Sequence, residues 1–259
     1  MRQPRYSHSQ YKEYVTCPYR WYLHRVLRAP ERPAAWLSQG LGVHEAAEAY
    51  ERSQRTMSLE DAQDVFRESY AKHTNRLAQD WPRFDTWFPS GPYRGSVDVE
   101  RRYTRGLEQV ARYVDYAERH PDETVWTTPD GTPAIELGCE VDLGGVRVRG
   151  YVDQVVQGSD GPVVRDVKTG KQPGDHFQLA VYAVMLYLQY GEEITTGDYW
   201  MGVTGKPTFA YPLSEWTVDE VASEFQWLDE QIQAERFEPK PDERTCFFCP
   251  VRAHCEFSA

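Results

Sequence analysis

No stretch of this sequence is apolar for long enough to span a bilayer, which takes about 20 consecutive apolar residues. The opening Met1-Arg2-Gln3-Pro4-Arg5-Tyr6 lacks the apolar run of a secretory signal, so a cytoplasmic protein is the expectation. Net positive charge is missing too. The formal charge is −11, which excludes a passive polycation that binds nucleic acid by bulk attraction but leaves room for a local basic groove. Cysteines number only five, an odd count that does not suit a disulfide framework in a cytosolic chain. There is no G-x-x-x-x-G-K-[ST] loop, so any unwinding of nucleic acid has to come from a partner. Internal repeats and low-complexity tracts are absent as well.

Charge is unevenly spread along the chain. Residues 1–32 carry Arg2, Arg5, Lys12, Arg20, Arg25, Arg28 and Arg32 against only Glu13 and Glu31. The following segment is acidic, with Glu45, Glu48, Glu51, Glu60, Asp61, Asp64 and Glu68. The N-terminal segment is therefore the candidate polyanion-facing surface, and a solvated helix with scattered arginines is the plainer alternative. Apolar residues make up 40% and aromatics 14% of 259 residues, enough to bury one large core or two small ones.

Helical spacing is expected over 7–15 and 19–27, broken at Cys17-Pro18 because proline lacks an N–H and restricts the residue before it. Further helices are expected over 38–52, with Ser38 as N-cap, over 58–78 and over 97–119. The aromatic, proline-bearing stretch 80–92 reads as a loop or lid. Near Thr127 the texture changes to a strand over 136–141, a Gly144-Gly145 turn and a valine-rich hairpin. Asp175-His176-Phe177-Gln178 is a capping-box signature opening an apolar helix to about 189. Strands over 196–203 and 208–212, a helix over 218–236 and a cysteine- and proline-bearing tail complete the chain. This order predicts an α/β core with an N-terminal helical insertion and a small cysteine module. The segments are 1–37, 38–126, 127–236 and 237–259, together forming one compact unit.

The hairpin is the centre of interest. Val-rich runs flank Gly158-Ser159-Asp160-Gly161, a cluster of turn formers. If Ser159 and Asp160 form a two-residue loop, Asp153 and Asp166 fall opposite each other on one face, with Cβ atoms roughly 5 Å apart. Lys168 shares that face. Two adjacent carboxylates repel unless a cation lies between them. Lys168 alone could supply that charge, as on an ordinary solvated hairpin. A divalent ion would also supply it and would leave the lysine free for chemistry.

The tail holds Cys246-x2-Cys249-x5-Cys255, three thiols in ten residues where apolar periodicity is weak. Metal ligation supplies folding energy where burial cannot. Cys17 could complete a four-thiolate set and staple the chain ends together. Spacing does not separate zinc from a 4Fe–4S cluster, and His254 keeps open a zinc site of three cysteines and one histidine. Cys139 fits no spacing and reads as a small buried residue.

Taken in order, Ser7-x-Ser9 with Cys17-Pro18-Tyr19-Arg20, Gly40-x-Gly42-x-His44, Gly150-x-x-Asp153, Asp166-x-Lys168-Thr169-Gly170, Gln178-x-x-x-Tyr182 and the cysteine trio span nearly the whole chain. The ordered set resembles the RecB-like branch of the PD-(D/E)XK nuclease superfamily. In particular it resembles the iron–sulfur exonuclease group, which includes CRISPR-associated exonucleases and phage relatives. The resemblance implies a restriction-endonuclease-like core, a central mixed sheet flanked by helices. It implies that Asp153 and Asp166 bind Mg²⁺ or Mn²⁺, with Asp166 standing where many relatives have Glu. His44 and the Val167 carbonyl would complete that site, and Lys168 would position or deprotonate the attacking water. Gln178 and Tyr182, one turn apart on one helix face, would face the active site and DNA. From the residues alone, Gln178 is equally a capping-box residue and Tyr182 a core aromatic. Glu136, with Glu140 as its rival, would match a further acid upstream. Cys17, Cys246, Cys249 and Cys255 would hold a structural 4Fe–4S cluster.

The function so implied is that of a divalent-metal-dependent DNA exonuclease. Its substrates would be single-stranded or duplex ends. Its partners would come from helicases, recombinases or CRISPR-adaptation proteins. Two alternatives stand beside it: a non-catalytic DNA-end-binding subunit of a larger complex, and a nuclease stapled by zinc. The intact D…D-x-K pattern favours catalysis over the first.

Overall fold

The structure, a computed structural model, describes residues 5–158 and 161–258, so the expected hairpin loop Ser159-Asp160 lies outside the described residues. The N-terminal half contains β1 (Arg5–Tyr6), α1 (His8–Thr16), α2 (Pro18–Trp21), a π-helical turn (Tyr22–Val26), α3 (Ala35–Arg52), α4 (Leu59–Asp80) and α5 (Gly95–Arg119). Strands β2 (Thr124–Val125), β3 (Ile135–Leu143), β4 (Val146–Gly158) and β5 (Gly161–Lys168) follow. Then come α6 (His176–Tyr190), β6 (Thr196–Met201), β7 (Lys206–Pro207), β8 (Tyr211–Pro212), α7 (Val218–Gln233) and α8 (Glu243–Phe247).

The chain divides into two compact units. One comprises Met1–Pro33, Glu140–Gly150 and Trp216–Ala259; the other comprises Ala34–Cys139 and Tyr151–Glu215. Each unit draws on segments distant in sequence, and the cysteine tail groups with the N-terminal residues. Local composition records where texture changes along the chain, not which distant segments share a core.

In the first unit, Ser7 caps α1 by accepting the Gln10 N–H. Cys17 is extended, at φ −161°, and Pro18 opens α2 where its missing N–H is harmless. β1 runs parallel to the start of β4, with Arg5 beside Arg147 and Tyr6 beside Val148. The aromatic face of α1 packs on α7: Tyr11 meets Phe225 at 5.9 Å and Tyr14 meets Trp227 at 5.8 Å. Trp21 stacks on Phe237 at 5.8 Å and is buried, a core role. Several of the N-terminal cations are also committed. Arg20 and Arg25 both face the buried Glu13, and Arg5 faces Glu140.

In the second unit, α3 begins three residues before the expected start. Ser38 is therefore an interior residue, fully buried rather than an N-cap, and Ala34 takes the cap position without a side-chain bond. Helices α3, α4 and α5 close around Phe66, which is fully buried. Two glycines make this approach possible. A Cβ on Gly106 would lie 2.0 Å from the Phe66 ring, and one on Gly42 would lie 2.9 Å from it. Gly106→Ala is accordingly expected to lower stability by about 1–3 kcal/mol through overpacking. That exceeds the gain of about 1 kcal/mol from helix propensity. Urea denaturation reads the sign, and a stabilised variant would contradict the close approach. The 80–92 stretch is not a free lid: Trp87 and Phe88 are buried, and the Trp87 indole N–H donates to the Trp81 carbonyl at 2.9 Å.

The sheet of this unit is mixed. β5 pairs antiparallel with β4 and parallel with β6, and β7 and β8 lie antiparallel along the far side of β6. Alternation along β5 sends Val167, with Trp200 of β6, into the core of α3, α4 and α5, while Asp166 and Lys168 point to α6. One buried ion pair ties the sheet together. Arg165 forks onto Asp198 of β6 with both bonds at 2.8 Å and reaches Glu123 at 2.6 Å. The α/β class, the mixed central sheet and the flanking helices agree with the expectation.

Candidate active site

The hairpin register is the expected one. Gly158 pairs with Gly161, and the ladder continues through Gln154 opposite Arg165. Asp153 and Asp166 occupy the next positions. There the regular ladder gives way, and the Asp153 carboxylate itself accepts the Val167 N–H at 2.8 Å. That bond fixes Asp153 at the end of β5.

His44, on α3, closes the site from the other side. Its Nε2 donates to the Val167 carbonyl at 2.9 Å, and its Nδ1 lies 3.4 Å from Asp153 and 3.5 Å from Glu136. The ligand atoms of His44, Glu136 and Asp153 all fall within 4.8 Å of one another. Of the two upstream acids, Glu136 lies beside His44 and Asp153, while Glu140 is held by Arg147 and Arg5. Glu136 reaches that point through an unusual backbone, at φ +46° in the left-handed region. A non-glycine residue held there costs on the order of 1–3 kcal/mol, and such residues concentrate at functional sites.

On the α6 side, Asp166 is only 2% exposed. Gln178 Nε2 donates to its Oδ1 at 2.6 Å and to Tyr182 Oη at 3.1 Å, while Gln178 Oε1 accepts from Lys168 Nζ at 3.1 Å. The capping alternative is therefore half right. Asp175 caps α6 by accepting the Gln178 N–H, but the Gln178 side chain turns to the site instead of back to the cap. Tyr182 is buried, as a core aromatic would be, and its Oη also accepts from Gln178. All seven residues expected at the metal and catalytic positions (His44, Asp153, Asp166, Val167, Lys168, Gln178 and Tyr182) thus fall in the second unit and form one connected set.

The electrostatics leave this set short of positive charge. Burial pushes the Asp153 carboxyl above its ordinary range, and Asp166 and Glu136 push it further against the opposing pull of His44. Burial works against charge on His44, but Asp153, Glu136 and Asp166 outweigh it and raise the imidazole above its usual value. Lys168 Nζ approaches Asp166 Oδ2 at 2.6 Å, off the direction a hydrogen bond needs. That buried oxygen has no hydrogen-bond partner. His44, Glu136 and Asp153, with the Val167 carbonyl beside His44, form a hard-donor set that fits a divalent ion, and Asp166 faces Lys168 outside that group. Of the expected ligands, His44, Asp153 and the Val167 carbonyl are gathered at this point, while Asp166 is not.

The cysteines give a different picture. Cys17, Cys246, Cys249 and Cys255 line one recess in the first unit. Burial pushes the Cys249 and Cys255 thiols up, and neighbouring thiols add to it. Yet they are not clustered as ligands of one ion: among the described residues no three sulfurs come within 4.8 Å of one another. A single tetrahedral zinc, with Zn–S near 2.3 Å, would hold them about 3.8 Å apart. His254 does not line the recess, so the site of three cysteines and one histidine is not formed. Cys139 is buried, as expected.

Sequence comparison agrees with this geometry. Residues 5–256 match the PD-(D/E)XK nuclease superfamily, and the chain belongs to that superfamily. Two relatives match along nearly their whole length. The Gene 69 protein of Mycobacterium phage D29 is 44% identical over 263 residues, covering 98% of this chain and 97% of that protein. The Gene 69 protein of Mycobacterium phage L5 is 41% identical over 279 residues, covering 97% and 96%. Among solved structures, the crystal structure of SSO0001 overlays with a TM-score of 0.35 at 15% identity, over 72% of this chain and 82% of that one. Among the described residues no helix is long and apolar enough to cross a membrane.

Proposed function

We infer that this chain is a divalent-metal-dependent DNA exonuclease of the RecB-like, iron–sulfur type. The observation that carries the reading is the junction at the end of β5. There the ligand atoms of His44, Glu136 and Asp153 lie within 4.8 Å of one another, with the buried Asp166 facing Lys168 on the α6 side. Mg²⁺ or Mn²⁺ held there would polarise the scissile phosphate and lower the pKa of a bound water. The protein's own residues do the rest. Lys168 is half-exposed, anchored by Gln178 and Asp166, and so presents its ammonium to the attacking water and to phosphate charge. Gln178 and Tyr182 hold Asp166 in place. Tyr182 stays protonated, because burial first, and then Asp166 and Asp153, raise its pKa. The expected result is degradation of end-labelled DNA that requires Mg²⁺ or Mn²⁺ and stops with a chelator.

The cysteines extend the proposal. Four thiols around one recess are the number a 4Fe–4S cluster takes, and they are not gathered as ligands of one zinc. Protein prepared anaerobically is expected to be brown, with broad visible absorbance and about four irons per chain. Cys249→Ser is expected to bleach it. A colourless preparation with stoichiometric zinc would overturn this assignment without touching the nuclease centre.

A further inference from the structure

The edge strand beside β6 carries an irregularity that the catalytic centre does not use. β7 and β8 both pair antiparallel with β6, but their registers differ by one residue. Trp200 opposes Pro207 and Met201 opposes Lys206, whereas Gly197 opposes Tyr211 and Thr196 opposes Pro212. One extra residue is accommodated between them, which defines a β-bulge. Thr208 stays pinned: its N–H donates to the Tyr199 carbonyl at 2.9 Å and its Oγ1 accepts the Tyr199 N–H at 3.2 Å. The residue that the bulge releases is Phe209, which is 97% exposed, more than any other large hydrophobic side chain among the described residues.

Edge strands normally protect themselves with charge, proline or a bulge that turns the edge away. Here the bulge instead pushes a bare phenyl ring into solvent. Bulges beside active sites are a recurrent way to re-aim a side chain. The site is close at hand. Tyr199 is the β6 partner of Asp166, and its ring lies 5.3 Å from Lys168 Nζ. With strands spaced about 4.8 Å apart, the bulge backbone is roughly 10 Å from that of Asp166. That is about three nucleotides along a stacked strand. The surroundings suit a nucleic-acid strand. His176, at the start of α6, lies against Tyr211 with ring centroids 4.1 Å apart. Lys206 in β7 and Lys171, three residues past Lys168, are exposed cations on a chain of net charge −11.

We propose that Phe209 is a stacking platform for an unpaired base of the DNA strand that enters the site, so that the preferred substrate is a single strand or a single-stranded tail. The assignment rests on the nuclease reading. A phenyl ring stacks on any base, so it grips a strand without selecting sequence. A fully paired duplex offers it no free base face.

The test is binding of a labelled single-stranded oligodeoxynucleotide, read by fluorescence anisotropy in an Asp166→Asn background so that the strand stays intact. Phe209→Ala is expected to weaken binding about 5- to 100-fold. Phe209→Trp is expected to retain it, and blunt duplex is expected to respond less than single strand. The melting temperature of Phe209→Ala should match the parent, because the ring is solvated in the fold. If the parent binds single strands and Phe209→Ala binds them equally well, the platform is refuted, and Phe209 then serves a protein surface or none. If the parent binds no DNA and the wild type cuts none, the nuclease reading fails and takes this one with it.

Discussion

Lys168→Ala is expected to slow metal-dependent DNA cleavage by about 10²–10⁴-fold, the range for loss of a positioned proton-transfer or charge-stabilising group. The reason is its placement. Gln178 Oε1 at 3.1 Å and Asp166 Oδ2 at 2.6 Å hold the ammonium at the mouth of the site while most of its stem is buried. Its removal takes away the ammonium that faces Asp166. The companion Asp166→Asn keeps the shape and removes the charge. It is expected to cost more than about 100-fold, since even groups that only orient a metal ligand are worth 10–100-fold. Circular dichroism and thermal melting should show both variants folded. Wild-type turnover in either would remove the assignment of the site.

Arg165→Ala is expected to lower the stability of the second unit by about 3–5 kcal/mol, the cost of breaking a buried ion pair from one side. Arg165 is 5% exposed and makes two bonds to Asp198, which is itself buried. Alanine would strand Asp198 in the core and free Glu123. Burial alone would lower the charge on Arg165, but Asp198 and Glu123 outweigh it and raise its pKa. Replacing both partners, Arg165→Met with Asp198→Leu, should be far milder, because no buried charge is left alone. Chemical denaturation of the three proteins distinguishes these outcomes, and an Arg165→Ala variant as stable as wild type would contradict them. The pair also sets a pH dependence. For Glu123, burial raises the pKa, but the Arg165 bonds outweigh that and lower it. A carboxyl lowered in the folded state contributes stability above its unfolded pKa and loses it as pH falls through the folded one. Wild type should therefore lose this contribution in acid, and Arg165→Ala should show less of that loss.

Much of the site was legible because its parts are local. Gly158 and Gly161 with flanking valines fix a hairpin register, and the register alone brings Asp153 level with Asp166. Gln178 and Tyr182 are one helical turn apart, so their shared face followed from spacing. The position of His44 came from a resemblance, since nothing in a helical histidine says which strand end it meets. What was not legible depends on contacts distant in sequence. Ser38 has the chemistry of an N-cap, yet tertiary packing extends α3 past it to Ala35. Arg165 looks like a surface residue of a hairpin until β6 delivers Asp198 beside it. The left-handed backbone of Glu136 has no sequence signal, because glycine or asparagine would be the usual residue there. The bulge at Phe209 shows only when two short pairings are compared. The cysteine spacing picked out residues that line one recess, but among the described residues they are not gathered as ligands of one ion.

The most direct measurement pairs Mn²⁺ binding, read by electron paramagnetic resonance, with digestion of end-labelled single- and double-stranded DNA, in wild type and in Asp153→Asn. The expected result is a tight Mn²⁺ site and metal-dependent nucleotide release in wild type, both lost in the folded variant. A wild-type protein that binds DNA ends but never cuts them with Mg²⁺ or Mn²⁺ would contradict it, as would an Asp153→Asn variant that cuts as fast as wild type.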